Sequence, residues 1–301
     1  MMRLAEFIDA ARIRAVMIVA LGMAFPILLF ASGGAIALTT LRRSVLDGAV
    51  VAVAGAGLVA LVSALGPQGM EGFSLLLAPC VIALGLANLL RRHSLSATLL
   101  MSLVGIYLVV LAVNFSLGDA EAYWKAWGRI QLDEWIATGV VDLTAEEVKL
   151  IFEAPFWGPM TALLATFVMM NAWLGLFLGR AWQARLVNPG GFGREFRQVS
   201  FGRYAALATM GVFCSVALIN SSALGDAALL LLFAWLIQGI SFVHWAAAGT
   251  RQSTGILTAF YVALIALMAS RSPIWVVVPL LGIVSELFGT RSRWKSDDSG
   301  T

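Results

Sequence analysis

Nine apolar runs, at 13–40, 47–65, 73–90, 95–115, 156–179, 203–220, 226–249, 254–270 and 273–290, take up most of this chain. Crossing the hydrocarbon of a bilayer takes about 20 apolar residues in a helix. The runs leave no room for a soluble reading: 301 residues that are 60% hydrophobic and 12% charged have more apolar surface than one core can hide. They are rich in Leu and Ala and do not alternate, which indicates helices rather than barrel strands. The expected fold is an all-α polytopic membrane protein of about 8–10 hydrophobic helices. It forms a single transmembrane domain over residues 1–301.

Charge sets the expected orientation, because loops facing the cytoplasm carry excess Lys and Arg. The segment 180–203 holds Arg180, Arg185, Arg194, Arg197 and Arg203 against one acid, Glu195, and is read as a basic cytoplasmic loop. Alternating outward from it puts Arg91, Arg92, Arg251, Arg291, Arg293 and Lys295 inside, with both termini. The 116–155 stretch and the short loops near Pro67 and Asp226 fall outside, and Arg271 is the one exception among those short loops. The 116–155 stretch is acidic, as that placement requires. The location implied is a bacterial inner membrane, crossed many times. The net charge of +3 is explained by this topology, without nucleic acid as a partner.

The same scheme constrains the ends. Arg12, Arg14, Arg42 and Arg43 all belong inside, so 13–40 must leave the cytoplasm and return. Its length of about 42 Å as helix is too short for two crossings. A short or re-entrant hairpin is expected, broken near Pro26 or at Gly33-Gly34. Glu6 and Asp9 argue against a cleaved leader, so the segment is read as retained. A second hairpin is expected at 254–270 and 273–290, with Arg271-Ser272-Pro273 at its tip. The 116–155 segment reads as an external amphipathic stretch: Tyr123, Trp124, Trp127, Ile130 and Trp135 recur at helical spacing and suit the headgroup layer. Thr144-Ala145-Glu146-Glu147 has the form of a capping box. Cys80 and Cys214 sit in apolar runs and read as small buried hydrophobes without a disulfide.

Within the basic loop, Asn188-Pro189-Gly190-Gly191 is a strong turn signal, with both glycines expected at φ > 0. Arg180, Trp182-Gln183, Asn188 to Phe192 and Glu195-Phe196 together resemble the loop pattern of the YybS-like family of bacterial membrane proteins, also called the domain of unknown function family 2232. Phe242-Val243-His244 and Tyr261 resemble that family's later helices. The resemblance extends over most of the chain in helix order and length, and the loop is its specific part. It implies a bacterial membrane protein and assigns no activity.

From the residues themselves, Asn188, Gly190, Gly191, Arg194 and Arg197 suit either an anion-binding nest or a rigid elbow between helices. No Walker-type Gly-Lys-Ser/Thr accompanies them. Inside the runs, Glu286 lies near the inner interface, His244 near the inner end of 226–249, and Asn171 near the middle of 156–179. His244 reads as a helix–helix hydrogen bond or a proton carrier, and Asn171 as a substrate contact or helix glue. Paired carboxylates, a catalytic triad and a metal-ligand cluster are all missing, so an enzyme is disfavoured, and no cofactor or metal is implied.

Two functions stay open. One is a small-solute carrier or substrate-binding membrane subunit, built on interrupted hairpins. Its architecture looks loosely similar to the substrate-capture subunits of energy-coupling-factor vitamin transporters, and Ala20-Leu21-Gly22-Met23-Ala24 would be its small-residue docking face. The other is a non-transporting scaffold or assembly factor presenting the Asn188–Arg197 loop to a cytoplasmic partner. The lipid bilayer is the one partner the sequence names. A polar cavity beside Asn171 would favour the carrier; a packed bundle with an ordered loop would favour the scaffold.

Overall fold

The computed structural model describes residues 2–65, 73–219, 221–270 and 272–290, and every regular element in them is helical. The helices are α1 (Met2–Ala10), α2 (Arg12–Ala24), α3 (Leu29–Arg42), α4 (Val45–Leu65), α5 (Phe73–Leu90), α6 (Leu95–Leu117), α7 (Ala120–Ala137), α8 (Ala145–Glu153), α9 (Met160–Val187), α10 (Gly191–Phe196), α11 (Arg203–Leu218), α12 (Ser222–Ala248), α13 (Ser253–Ala269) and α14 (Val277–Leu287). Ten of these 14 are hydrophobic, as the run count predicts. Four have the length and apolarity to cross a bilayer: Val45–Ala64, Leu95–Leu117, Met160–Val187 and Ser222–Ala248. The chain is a multi-pass membrane protein. The expected loop near Pro67, Arg271, and the basic residues Arg291, Arg293 and Lys295 lie outside the described residues.

The 13–40 run is a hairpin. α2 ends at Phe25, whose ψ of 99° leaves the helical region, and a 3-10 turn at Pro26–Leu28 reverses the chain into α3. Pro26 breaks the helix because it lacks an N–H and clashes with the preceding turn. Both ends meet again at the base, where Arg42 pairs with Asp9 at 3.0 Å and Arg43 donates to the Asp9 carbonyl. At 1.5 Å per residue neither arm exceeds about 21 Å, well short of the ~30 Å hydrocarbon.

The Gly33-Gly34 alternative for the break is corrected. Those glycines lie inside α3 and make its contact with α9. Gly33 stands against Gly175, Ala37 against Gly179, and Gln183 donates to the Leu41 carbonyl, each pair at the same offset of 142 residues. A constant offset means the two helices run parallel. It also sets the hairpin turn about level with Phe167 to Met170, the middle of the 156–179 run. α3 is a half-membrane helix buried nearly all round, from Ser32 to Thr40 without a break, between α2, α4, α5 and α9.

Its small residues explain how. Lipid is as apolar as Leu, so close backbone approach rather than hydrophobicity drives association here, and Gly, Ala, Ser and Thr permit it. The hydroxyls cost little: Ser32 Oγ donates to the Val19 carbonyl of α2, and Thr39 and Thr40 donate back to Ala35 and Ile36.

The second half of the chain is organised on α12. Gly239 and Gly282 face each other where α14 lies along α12. Trp235 Nε1 donates to Thr209 Oγ1 of α11 at 2.8 Å. α13 rests on α12 and on the 3-10 turn Pro273–Val276, so the two arms of the expected terminal hairpin lean on α12. Trp173 of α9 donates to Ser102 of α6 at 2.8 Å and joins the halves. Between α6 and α9, α7 and α8 form the amphipathic pair. Thr144 and Glu147 make the capping box, Trp124 Nε1 donates to Thr161 at 2.8 Å, and Trp127 and Trp135 remain exposed.

Two burial readings change. Cys80 is buried, but Cys214 is exposed on α11. Asp226, expected in a loop, lies in the second turn of α12 and is 2% exposed.

Candidate functional site

The Asn188–Arg197 motif folds as one unit at the end of the bundle that also carries Arg42, Arg43 and Asp9. α9 continues through Val187, so the connection begins at Asn188 rather than at residue 180. Gly190 takes φ 80°, left-handed backbone that suits glycine. Gly191 does not have positive φ, which corrects the expectation for it; it starts α10. What requires glycine there is space, since a Cβ would sit 2.6 Å from Asn188 Nδ2. That amide group matters because Asn188 Oδ1 accepts from Arg194 Nη2 at 3.2 Å.

The short helix is wedged, not suspended. Phe192 and Phe196 pack against Phe177 of α9, with ring centroids 6.1 and 5.5 Å away. Glu195 accepts from Arg180 Nε at 2.8 Å, and Arg180 also donates to Gln183 at 3.0 Å. Ser241 Oγ donates to the Phe196 carbonyl at 2.7 Å, and the Ser200 N–H donates to Ser96 at 3.0 Å. Gln238, fully buried, accepts the Phe201 N–H at 2.8 Å and donates to Glu286 at 2.7 Å and to the Gly282 carbonyl at 3.3 Å. Glu286 therefore helps clamp α14 and the loop exit together instead of reaching alone to the interface. The sequence reading missed Gln238 as the clamp. Its signal was an uncharged amide in the interior of an apolar run.

Around this wedge the arginines divide. Arg180 is committed to Glu195. Arg185 and Arg194 are exposed, and among the described residues no carboxylate lies within ion-pair distance of them or of Arg197. His244 Nε2 shares a hydrogen bond with the Tyr261 hydroxyl at 2.8 Å, which joins α12 to α13; its ring also meets Phe196 edge-on at 5.5 Å. This is a helix–helix bond of the kind expected of a lone intramembrane histidine.

Asn171 stands apart from that cluster. Its Nδ2 donates to the Phe167 carbonyl of its own helix at 2.9 Å. It is half-buried and makes no hydrogen bond to another helix among the described residues. The level it occupies is filled by the α2–α3 turn and by Gly33, whose Cβ position is 3.9 Å from the Asn171 carbonyl. The structure thus gathers Asn188, Gly190, Gly191, Arg194, Arg197 and His244 at one end and leaves Asn171 alone. No group of three His, Cys, Asp or Glu residues suited to a metal occurs among the described residues. No family model, curated protein or solved structure matches the chain.

Proposed function

We propose that this protein is a non-transporting membrane scaffold or assembly factor that presents the Asn188–Arg197 elbow to an acidic cytoplasmic partner. The observation that carries this reading is the contrast inside the elbow. Its backbone and aromatic side chains are fixed to α9 and α12, while Arg194 is exposed on it and Arg185 is exposed on the last turn of α9 before it. Rigid presentation of guanidinium groups lowers the ordering cost of recognition and suits carboxylate or phosphate partners. Gathering of the basic helix ends on one side, opposite the acidic α7–α8 pair, supports placing the elbow and both termini in the cytoplasm of a bacterial inner membrane. Kinship with the YybS-like family belongs to the same proposal and rests on the loop residues. The carrier reading has less behind it, since the Asn171 amide is engaged with Phe167 and α3 packs into the centre of the bundle.

The test is the double substitution Arg194→Ala and Arg197→Ala. On this reading the variant inserts and melts like wild type but no longer crosslinks to its partner from a photoreactive residue at Gly193, a position where an added Cβ meets nothing within 4 Å. A well-folded double variant with unchanged crosslinking would overturn it.

A further inference from the structure

At the opposite end of the bundle, beside the Pro155–Trp157 turn, lies a groove of about 720 Å³ between α9, α11 and α12. Its walls are apolar, among them Pro159, Leu163, Phe213, Leu229 and Leu232, with one carboxylate, that of Asp226. Asp226 is 2% exposed, and no cationic side chain among the described residues lies within ion-pair distance of it. One of its oxygens accepts from Asn114 Nδ2 at 2.6 Å, and the other makes no hydrogen bond among the described residues. Asn114 is not part of the groove lining, and its own Oδ1 is buried without a donor among the described residues. Buried polar atoms are almost always paired, and a buried charge is expensive unless a partner neutralises it. The unpaired Asp226 oxygen in an apolar groove therefore calls for a donor, and a cationic one suits a carboxyl group best.

The layout of the groove describes the rest of that donor's molecule. Leu232 lies six residues along α12 from Asp226, about 9 Å deeper into the bundle. The carboxylate thus sits near the helix ends, at the level of lipid headgroups, with an apolar channel running from it toward the hydrocarbon. Gly225 borders the channel, and a Cβ there would meet nothing within 4 Å, so a longer side chain has room to enter it. We propose that this groove binds an amphiphile with a primary ammonium head, which donates to Asp226, and an alkyl or acyl tail lying along Leu163, Leu229 and Leu232. An aminophospholipid of the surrounding leaflet and a free alkylamine share that chemistry.

The test uses the purified full-length protein with two matched pairs of probes. Dodecylamine is compared with dodecanol by thermal shift, and phosphatidylethanolamine with phosphatidylglycerol by retention in native mass spectrometry. The amine member should win in at least one pair: the lipid pair alone identifies the bilayer as the source, the dodecyl pair alone a free amine. Asp226→Asn should weaken that binding on the order of tenfold or more, as expected for a lost charge-assisted bond. Gly225→Leu, which fills the channel without touching the carboxylate, should abolish binding while leaving the unliganded melting temperature at or above wild type. If Asp226→Asn does not fold, Gly225→Leu decides alone. Equal binding of amine and non-amine members in both pairs would overturn the proposal. So would amine binding that either variant leaves undiminished.

Discussion

Gly175→Ala tests the packing of the half-membrane helix. A methyl group added at Gly175 would lie 2.9 Å from Gly33 Cα, 3.0 Å from Gly33 C and 3.1 Å from the Phe30 carbonyl oxygen. All three obstacles are backbone atoms, so no rotamer change relieves them and α3 must move off α9. Overpacking of this kind costs about 1–3 kcal/mol, with the rigid case at the upper end. Against it stands a gain of about 1 kcal/mol in helix propensity for Ala over Gly. The net expectation is a loss of about 2 kcal/mol. Gly105→Ala is the internal control: its Cβ would meet nothing within 4 Å, so only the propensity gain remains, up to about 1 kcal/mol. Steric-trapping or denaturant unfolding in bicelles should separate the two variants by about 3 kcal/mol, in opposite directions from wild type. Gly175→Ala at or above wild-type stability, or both variants shifting the same way, would refute the close-packing argument.

Gly191→Val should lower the melting temperature by displacing the Asn188 amide from Arg194, and Asn188→Ala in the same background should recover part of the loss. Glu147 accepts the Thr144 N–H and hydroxyl, which hold its carboxyl below the usual range. A depressed folded pKa stabilises the α8 cap above the unfolded value of 4.5 and loses that contribution as pH falls through the lower folded value. Protection of the α8 amides, taken relative to their intrinsic exchange rate at each pH, should therefore fall only on acidification below about pH 4.5, and Glu147→Gln should remove that fall. In a chain freed of Cys80 and Cys214, Ala120→Cys should label from outside intact cells and Arg185→Cys only after permeabilisation; the reverse pattern would invert the topology. Tyr261→Phe should cost about 0.6 kcal/mol, the average worth of one interhelical hydrogen bond in a membrane, and a loss several times larger would assign Tyr261 a role beyond that bond.

The helices were legible because lipid removes most alternatives: an apolar run of sufficient length has little else to be. Pro26 and the Thr144–Glu147 box were legible for local reasons, one a missing donor and the other a reciprocal pair of bonds. What the sequence hides is which neighbour a residue meets. Gly33-Gly34 has the composition of a break and the role of an interface, and only the distant Gly175 and Gly179 decide between them. Asp226 falls at the edge of its apolar run and so looks like a loop residue; its burial depends on Asn114, 112 positions earlier. Gly191 is needed for the room its neighbour's side chain takes, which no local φ rule reveals. Asn171 reads alike whether it binds a ligand, another helix or a carbonyl of its own helix, and the structure supplies the third.

The parallel pairing of α3 with α9 also sets a clock. Gly33 leaves the ribosome 142 residues before its partner Gly175. At about 5–20 residues per second, that interval is roughly 7–30 s. Through it the hairpin has α1, α4 and α5 for company, and the side of α3 meant for Gly175 and Gly179 faces lipid or an insertion chaperone. The earliest membrane segment can therefore reach its final packing only after more than half of the chain has been made.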